Sequence, residues 1–390
     1  MRACTATLRI VTSLAQDARV PTHPTKPPGA SGDPMNYITP REFLFSVPAL
    51  AVGSRVFAQA AKPAIPVKTL SHFALAVSDV KRSLDFYQGL FGMPNQARQG
   101  PTVLLRIGNG PQFLALGPAG SNPPAIESHF GMTVENFNAD RITGVLAQHG
   151  ITKAEAADPG LSGGPLKVRV SRRGPENGGA NGGTPELYLG DPDGLVVQLQ
   201  DTKYCGGAGA LGNVCVPEAA PKRGLLAVKE INHFTIGVSD ANRSNAFYQE
   251  LFGLPIRARQ GPPTGGGAPG LGIGPGVMFL MFTGGAGAGR GRANTPPRPA
   301  NINHVCMNME HFNPDEVLKT LAAYGVSARG DATGPVGPMK SYVTLRMENR
   351  GGAPGGTPEL YFTDPDGLLL QLQDVSYCGG AGFLGNVCLG

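Results

Sequence analysis

No two of the six cysteines (Cys4, Cys205, Cys215, Cys306, Cys378 and Cys388) stand at Cys-x-x-Cys spacing, which excludes the common zinc-knuckle and thioredoxin-like motifs. There is no run of Lys or Arg either. The 33 cationic and 28 anionic residues leave a net charge of +5 scattered over 390 residues, so no nucleic-acid surface is expected. No apolar stretch reaches the roughly 18–20 residues that cross a bilayer, the longest candidate being the patchy Phe43 to Val56. What is abundant is glycine (57) and proline (36), about a quarter of the chain, beside 41% hydrophobic residues. Such a mixture builds sizeable cores joined by irregular loops, and the length suits two domains at roughly 150 residues each.

Residues 1–34 hold five prolines and no sustained periodicity, and read as a disordered or mis-started extension. From Met35 the order is a short polar start with Arg41, an apolar segment, then the small residues Ala58 and Ala60 around Gln59. Residues 35–60 therefore read as a signal peptide cut after Ala60, with a mobile tail as the alternative. Arg41-Glu-Phe-Leu approximates a twin-arginine signal, but Pro40 occupies the first arginine position, which leaves Sec and twin-arginine export both open. Cleavage removes six cationic and three anionic residues and leaves a net charge of +2. The expected destination is periplasmic or secreted, with no membrane association after the cut.

The rest of the chain repeats itself. Val67 to Asp79 matches Val228 to Asp240, including His72 with His233 and Phe73 with Phe234. Phe86-Tyr87-Gln88 returns as Phe247-Tyr248-Gln249, and Thr184-Pro-Glu-Leu-Tyr188 through Asp201 as Thr357-Pro-Glu-Leu-Tyr361 through Asp374. The expected division is a first domain at 61–216, a linker at 217–226 and a second domain at 227–390. Each copy opens with an alternating strand, in which His72, Ala74 and Ala76 share one face and Phe73, Leu75 and Val77 the other. Ser78 or Asp79 then caps a helix whose apolar residues Val80, Leu84, Tyr87 and Phe91 follow helical spacing, and Gly92 with Pro94 ends it. Short strands follow at Val103 to Ile107 and Gln112 to Leu116, and the pattern restarts at His129 and, in the second copy, at His304. Each copy is thus two βαβββ halves, and the fold class is α+β.

Four such units, histidines in the opening strands and Asp-Pro-Asp-Gly before the last strand resemble the vicinal oxygen chelate superfamily over about residues 66–204 and 227–377. That group includes glyoxalases, bleomycin-resistance proteins and extradiol dioxygenases. The resemblance implies paired units curling into an open barrel around a divalent metal. By position, its ligands would be His72, His129 and Gln198 in the first copy and His233, His304 and Gln371 in the second. The extradiol signature Leu-Tyr-x-x-Asp-Pro-x-Gly-x-x-x-Glu is similar to Leu187-Tyr188 through Gln198 and Leu360-Tyr361 through Gln371, with glutamine in place of the acid. The histidine expected shortly before the tyrosine is replaced by Asn181 and Pro354.

Two histidines and one carboxylate on one face suit Fe(II) or Mn(II), with Zn(II) or Ni(II) as alternatives, and here glutamine supplies the oxygen in place of the carboxylate. Glutamine brings no charge, which weakens affinity and favours substrates that carry their own negative charge. Tyr188 and Tyr361 are candidate catalytic donors to a substrate oxyanion. The Asp191 and Asp364 turns are assigned no chemistry. Cys205 with Cys215 and Cys378 with Cys388 are expected as two local disulfides, since each pair closes a repeated glycine-rich loop in an exported chain. Cys306 then stays unpaired on the face of His304. Glycine-rich stretches at Gly174 to Gly183, Gly261 to Gly276, Gly284 to Gly291 and Arg350 to Gly356 read as long surface loops that could serve as lids.

The leading expectation is an exported, metal-dependent, dioxygenase-like enzyme acting on a small molecule with adjacent oxygens. A glyoxalase-type lyase or isomerase and a non-catalytic ligand-binding protein are the alternatives. The two copies are expected to pair within a monomer or in a homodimer.

Overall fold

The computed structural model describes residues 63–120, 126–262, 266–284, 299–330 and 336–389. The extension at 1–34, the signal segment at 35–60 and parts of two glycine-rich stretches lie outside the described residues. Among the described residues no helix is long and apolar enough to cross a membrane.

The first repeat runs β1 (Val67–Val77), α1 (Val80–Phe91), β2 (Asn95–Gln99), β3 (Thr102–Arg106), β4 (Phe113–Pro118), β5 (Ile126–Val134), α2 (Ala139–Gln148), β6 (Thr152–Lys153), β7 (Lys167–Arg173), β8 (Thr184–Gly190) and β9 (Val196–Asp201). The second follows the same order: β10 (Val228–Gly237), α3 (Ala241–Phe252), β11 (Ile256–Gln260), β12 (Ala268–Gly272), β13 (Phe279–Thr283), β14 (Asn301–Met309), α4 (Pro314–Ala323), β15 (Ser327–Ala328), β16 (Lys340–Arg346), β17 (Thr357–Thr363) and β18 (Leu369–Asp374). Each repeat makes one curved, open sheet of nine strands, ordered β2-β3-β4-β1-β5-β9-β8-β7-β6 in the first. The halves meet where β1 runs antiparallel to β5, and the ninth strand is the two-residue β6, too short to leave a period in the sequence.

Local chemistry sets the helix ends. Asp79 accepts from the Arg82 amide at the start of α1, and Gly92, at φ 65°, closes it in the left-handed region that a side chain disfavours. On β1 the outward-facing Phe73, Leu75 and Val77 are buried beneath the helices. The apolar core is continuous through both repeats, with Phe130 stacked on Phe234 at 4.8 Å between ring centres.

The two repeats also latch reciprocally. The Asp193 carboxylate takes Ser239 and Arg243 from the start of α3, with Arg243 Nη2 at 2.7 Å, and Asp366 takes Ser78 and Arg82 from the start of α1, with Arg82 Nη2 at 2.6 Å. Buried beneath them, Asp191 accepts from the Asp193 and Leu195 amides and from Tyr248 Oη, and Asp364 accepts likewise from Tyr87 Oη at 3.1 Å. Burial raises both Asp191 and Asp364 to about 6. The Asp-Pro-Asp-Gly segments are the tight turns expected, and they fasten one repeat to the other as well. Residues 217–226 are held to the first repeat, where Leu225 and Leu226 amides donate to Leu90 O.

Candidate metal centre and its cavity

Strand register brings the expected ligands together. In the first repeat His72 lies opposite Gly131, Gly131 beside Gln198, and Gln198 opposite Tyr188, a row across β1, β5, β9 and β8; His129 stands opposite Ala74, one step along. The His72 and His129 rings meet edge to face at 5.4 Å. In the second repeat the row is His233, Cys306, Gln371 and Tyr361, with His304 opposite Thr235 and the two imidazoles 5.5 Å apart. All six expected ligands therefore converge in two sets of three. Among the described residues, no three His, Cys, Asp or Glu side chains form a metal-binding group. The oxygen donor in each set is the glutamine amide.

Burial keeps the rings neutral. It lowers His72 and His233 well below the ordinary imidazole value and His129 and His304 to about 4, so lone pairs rather than charges face the cavity. The preceding residue orients each ring. Asn232 Nδ2 donates to Tyr377 O, so its Oδ1 accepts from His233 Nδ1 at 2.7 Å; Asn303 Oδ1 holds His304 Nδ1 at 2.9 Å. Both Nε2 atoms in the second repeat are thereby left unprotonated. In the first, Ser128 donates to Ala74 O and accepts from His129 Nδ1. His72 differs: its Nε2 donates to Gln198 Oε1 at 3.0 Å, and Ser71 Oγ serves its Nδ1 at 2.9 Å.

These residues fit a divalent metal. His304 Nε2 and both amide atoms of Gln371 are buried without a hydrogen-bond partner, as is Gln198 Nε2. Of these, His304 Nε2 and Gln371 Oε1 present lone pairs that a cation could take up, and left bare at this depth they are costly; the glutamine Nε2 atoms are N–H donors and do not ligate a metal.

The first set opens into a cavity of about 350 Å³, floored by Phe113, Ala74 and Ala115 and bounded by Tyr188, Tyr204 and Leu161. His72 stacks face to face on Phe113 at 4.6 Å in its wall. A larger open depression near Pro63, Lys68 and Arg141 contains none of the expected residues.

A buried acid escaped the sequence reading. Glu186 accepts from Arg173 Nε at 2.7 Å, Tyr204 Oη at 3.0 Å and Tyr188 Oη at 3.0 Å, and Arg173 reaches on to Gly207 O. Glu359, Arg346 and Tyr377 repeat the pattern. Tyr188 thus spends its hydroxyl hydrogen on Glu186 and turns lone pairs toward the cavity, while burial pushes its phenol well above the ordinary value. Tyr361 instead stacks on Tyr342 at 5.3 Å. The only available signal for Glu186 was its recurrence two residues before the tyrosine, on the same strand face.

Cys205 and Cys215, and Cys378 and Cys388, stand at disulfide distance with Cα separations of 6.3 Å. Cys306 is free and buried.

A family profile described as Glyoxalase/Bleomycin resistance protein/Dioxygenase superfamily matches residues 69–199 and 230–372. No curated protein matches the chain in sequence. Among solved structures, homoprotocatechuate 2,3-dioxygenase from Arthrobacter globiformis is 17% identical, with a TM-score of 0.50 over 80% of this chain and 81% of that one. A variant of the Brevibacterium fuscum homoprotocatechuate 2,3-dioxygenase is 16% identical, with a TM-score of 0.53 over 81% and 74%. A Mn(II)-bound glyoxalase from Novosphingobium aromaticivorans is 14% identical, with a TM-score of 0.50 over 79% and 82%. At these identities the likeness is one of fold.

Proposed function

The chain belongs to the Glyoxalase/Bleomycin resistance protein/Dioxygenase superfamily, and from that premise we propose that it is a divalent-metal-dependent enzyme of dioxygenase type acting on a small molecule with adjacent oxygens. The observation that carries this reading is the convergence of two neutral, oriented imidazoles and one glutamine amide in each repeat, with buried polar atoms left unpartnered. The signature shared with extradiol enzymes and the neighbours' printed activities support the subclass. Fe(II) or Mn(II) suits this donor set best. The paired cysteines support an exported protein.

His72, His129 and Gln198 would hold the ion in the first repeat, and His233, His304 and Gln371 in the second. When bound, it supplies a Lewis acid able to chelate neighbouring substrate oxygens and to favour their anionic form. The chain does the rest. Ser128, Asn232 and Asn303 fix ring orientation, and Ser71 can donate or accept, so His72 can exchange its bond to Gln198 for a lone pair aimed inward. Tyr188 offers an acceptor to a substrate hydroxyl and passes its own hydrogen to Glu186, whose charge Arg173 balances. Phe113 supplies a flat apolar wall.

A ligand-binding protein without catalysis is the second reading. The bond from His72 to Gln198, which closes the first set on itself, favours it. Elemental analysis after reconstitution with Fe(II), Mn(II) or Zn(II) separates the two. Bound metal that disappears in the His72→Ala/His233→Ala variant supports the enzyme, and no uptake of any ion by the wild type leaves the binding protein.

A further inference from the structure

The two sets of ligands are surrounded differently. In the first repeat the residues facing the imidazoles across the β1–β5 ladder are the smallest available: Gly131 faces His72 and Ala74 faces His129. In the second, Cys306 faces His233 and Thr235 faces His304. A Cβ at Gly131 would stand 2.2 Å from His72 Cε1, so the first site depends on that glycine for the position of its ring. Further along the same concave face, Ala115 and Gly117 of β4 become Met281 and Thr283 of β13. Part of this is an exchange, because Met281 lies opposite Gly270 where Ala115 lies opposite Leu104. Thr283 is likewise an exchange, since it lies opposite Gly237 where Gly117 lies opposite Ala76, and Ala268 stands in the place of Thr102. The additions at Thr235 and Cys306, beside the imidazoles, have no such partner loss across the β10–β14 ladder. Exposure divides: His129 is half-buried where His304 is buried, while Thr235 and Tyr361 are half-buried where Ala74 and Tyr188 are buried.

Among the described residues the lining of the first cavity contains no Lys, Arg, Asp or Glu. Behind the lining residues Tyr188 and Tyr204, Glu186 is paired with Arg173. Arg169, opposite Tyr188 in the sheet, has its guanidinium occupied by the carbonyls of Glu155, Asp158 and Gly160. A ligand carboxylate entering this cavity would therefore be desolvated without a cationic partner.

We propose that only the first repeat takes substrate, that its substrate is a small planar molecule with adjacent oxygens and otherwise uncharged, and that in the second repeat Thr235 and Cys306 narrow the substrate space beside the metal ligands without occupying the metal position. This rests on the functional reading above for the adjacent oxygens alone; the choice of repeat and the neutral remainder follow from the cavity.

The chain has no tryptophan, so Leu161→Trp at the exposed rim of the first cavity introduces a single fluorescent reporter. Catechol and 3,4-dihydroxybenzoate, which carries an added carboxylate, are titrated against this full chain. Both the Mn(II)-reconstituted and the metal-free forms are used, with metal content measured on the same samples. The expected result is one catechol per chain, fluorescence quenching on binding, and at least tenfold weaker binding of the anion. Ala74→Thr/Gly117→Thr, which puts two of the second repeat's residues into the first cavity, abolishes quenching. Gly117→Thr alone, whose Cβ would meet only the Thr102 side chain, with its Oγ1 at 2.9 Å, weakens it by several fold and serves if the double variant does not fold. Two catechols per chain, binding without quenching, equal affinity for the anion, or no binding to either form overturns the proposal. If the protein takes up no metal yet the metal-free form binds one catechol with quenching, the enzyme reading falls and this inference stands.

Discussion

The two repeats carry the same six-residue plan and treat it differently. The second fixes both of its imidazoles with asparagines, whose Oδ1 can only accept, and so commits each Nε2 to a lone pair. The first uses serines, which can serve either tautomer, and lets His72 close on Gln198. The second surrounds its ligands with Cys306 and Thr235; the first leaves Gly131 and Ala74 there and keeps a cavity of about 350 Å³. Ligand identity and the residues that set working space are thus separable.

The largest effect should come from what the repeats share. Arg173→Met and Arg346→Met each strand a buried glutamate, and each should cost about 3–5 kcal/mol in denaturant unfolding. A cost confined to one of them would show that the network is structural in one repeat and dispensable in the other.

Acid is the next lever. In the metal-free protein the folded imidazole of His304 lies near 4 against 6.5 when unfolded, so the unfolded chain binds more protons between those values. Stability should fall as pH drops from about 6.5 to about 4, by about 3 kcal/mol for His304 alone. The raised Asp191 and Asp364 act oppositely. Their stabilising protonation is complete below about 3.8 and lost as pH rises through about 6, so Asp191→Asn should steepen the acid loss. Urea midpoints across this range read both, and an unchanged slope in Asp191→Asn would contradict the assignment.

Making the first repeat resemble the second should cost less. Gly131→Cys forces a side chain against His72 and should destabilise by about 1–3 kcal/mol while removing first-repeat metal. Cys306→Gly should leave second-repeat metal in place. Smaller still, Asn232→Ser should weaken metal binding in the second repeat by about tenfold, because the ring is no longer held in one tautomer. Calorimetric titration with Mn(II) measures it, and unchanged affinity would remove the asparagines from the account.

Much of the fold was legible because the chain states it twice. The period-two alternation of His72 to Val77, the Asp79 cap and the Gly92 stop each point to one local structure. The same alternation placed all four histidines and both glutamines on the concave face. What the sequence concealed depends on partners distant along the chain. Glu186 and Arg173 sit 13 residues apart and read as ordinary solvent-facing charges until β7 and β8 pair. Asp191 and Asp193 announce a turn, but Ser239, Arg243 and Tyr248 lie in the other repeat, and turn chemistry cannot name them. The contrast between Gly131 and Cys306 was visible as letters, and its weight came only with register.

The most direct test of the central claim is the metal stoichiometry of the reconstituted chain, measured by elemental analysis in the wild type, His129→Ala and His304→Ala. Two ions per chain, falling to one in either variant, is the predicted result. A wild type that binds no Fe(II), Mn(II) or Zn(II), or variants that keep both ions, would contradict it.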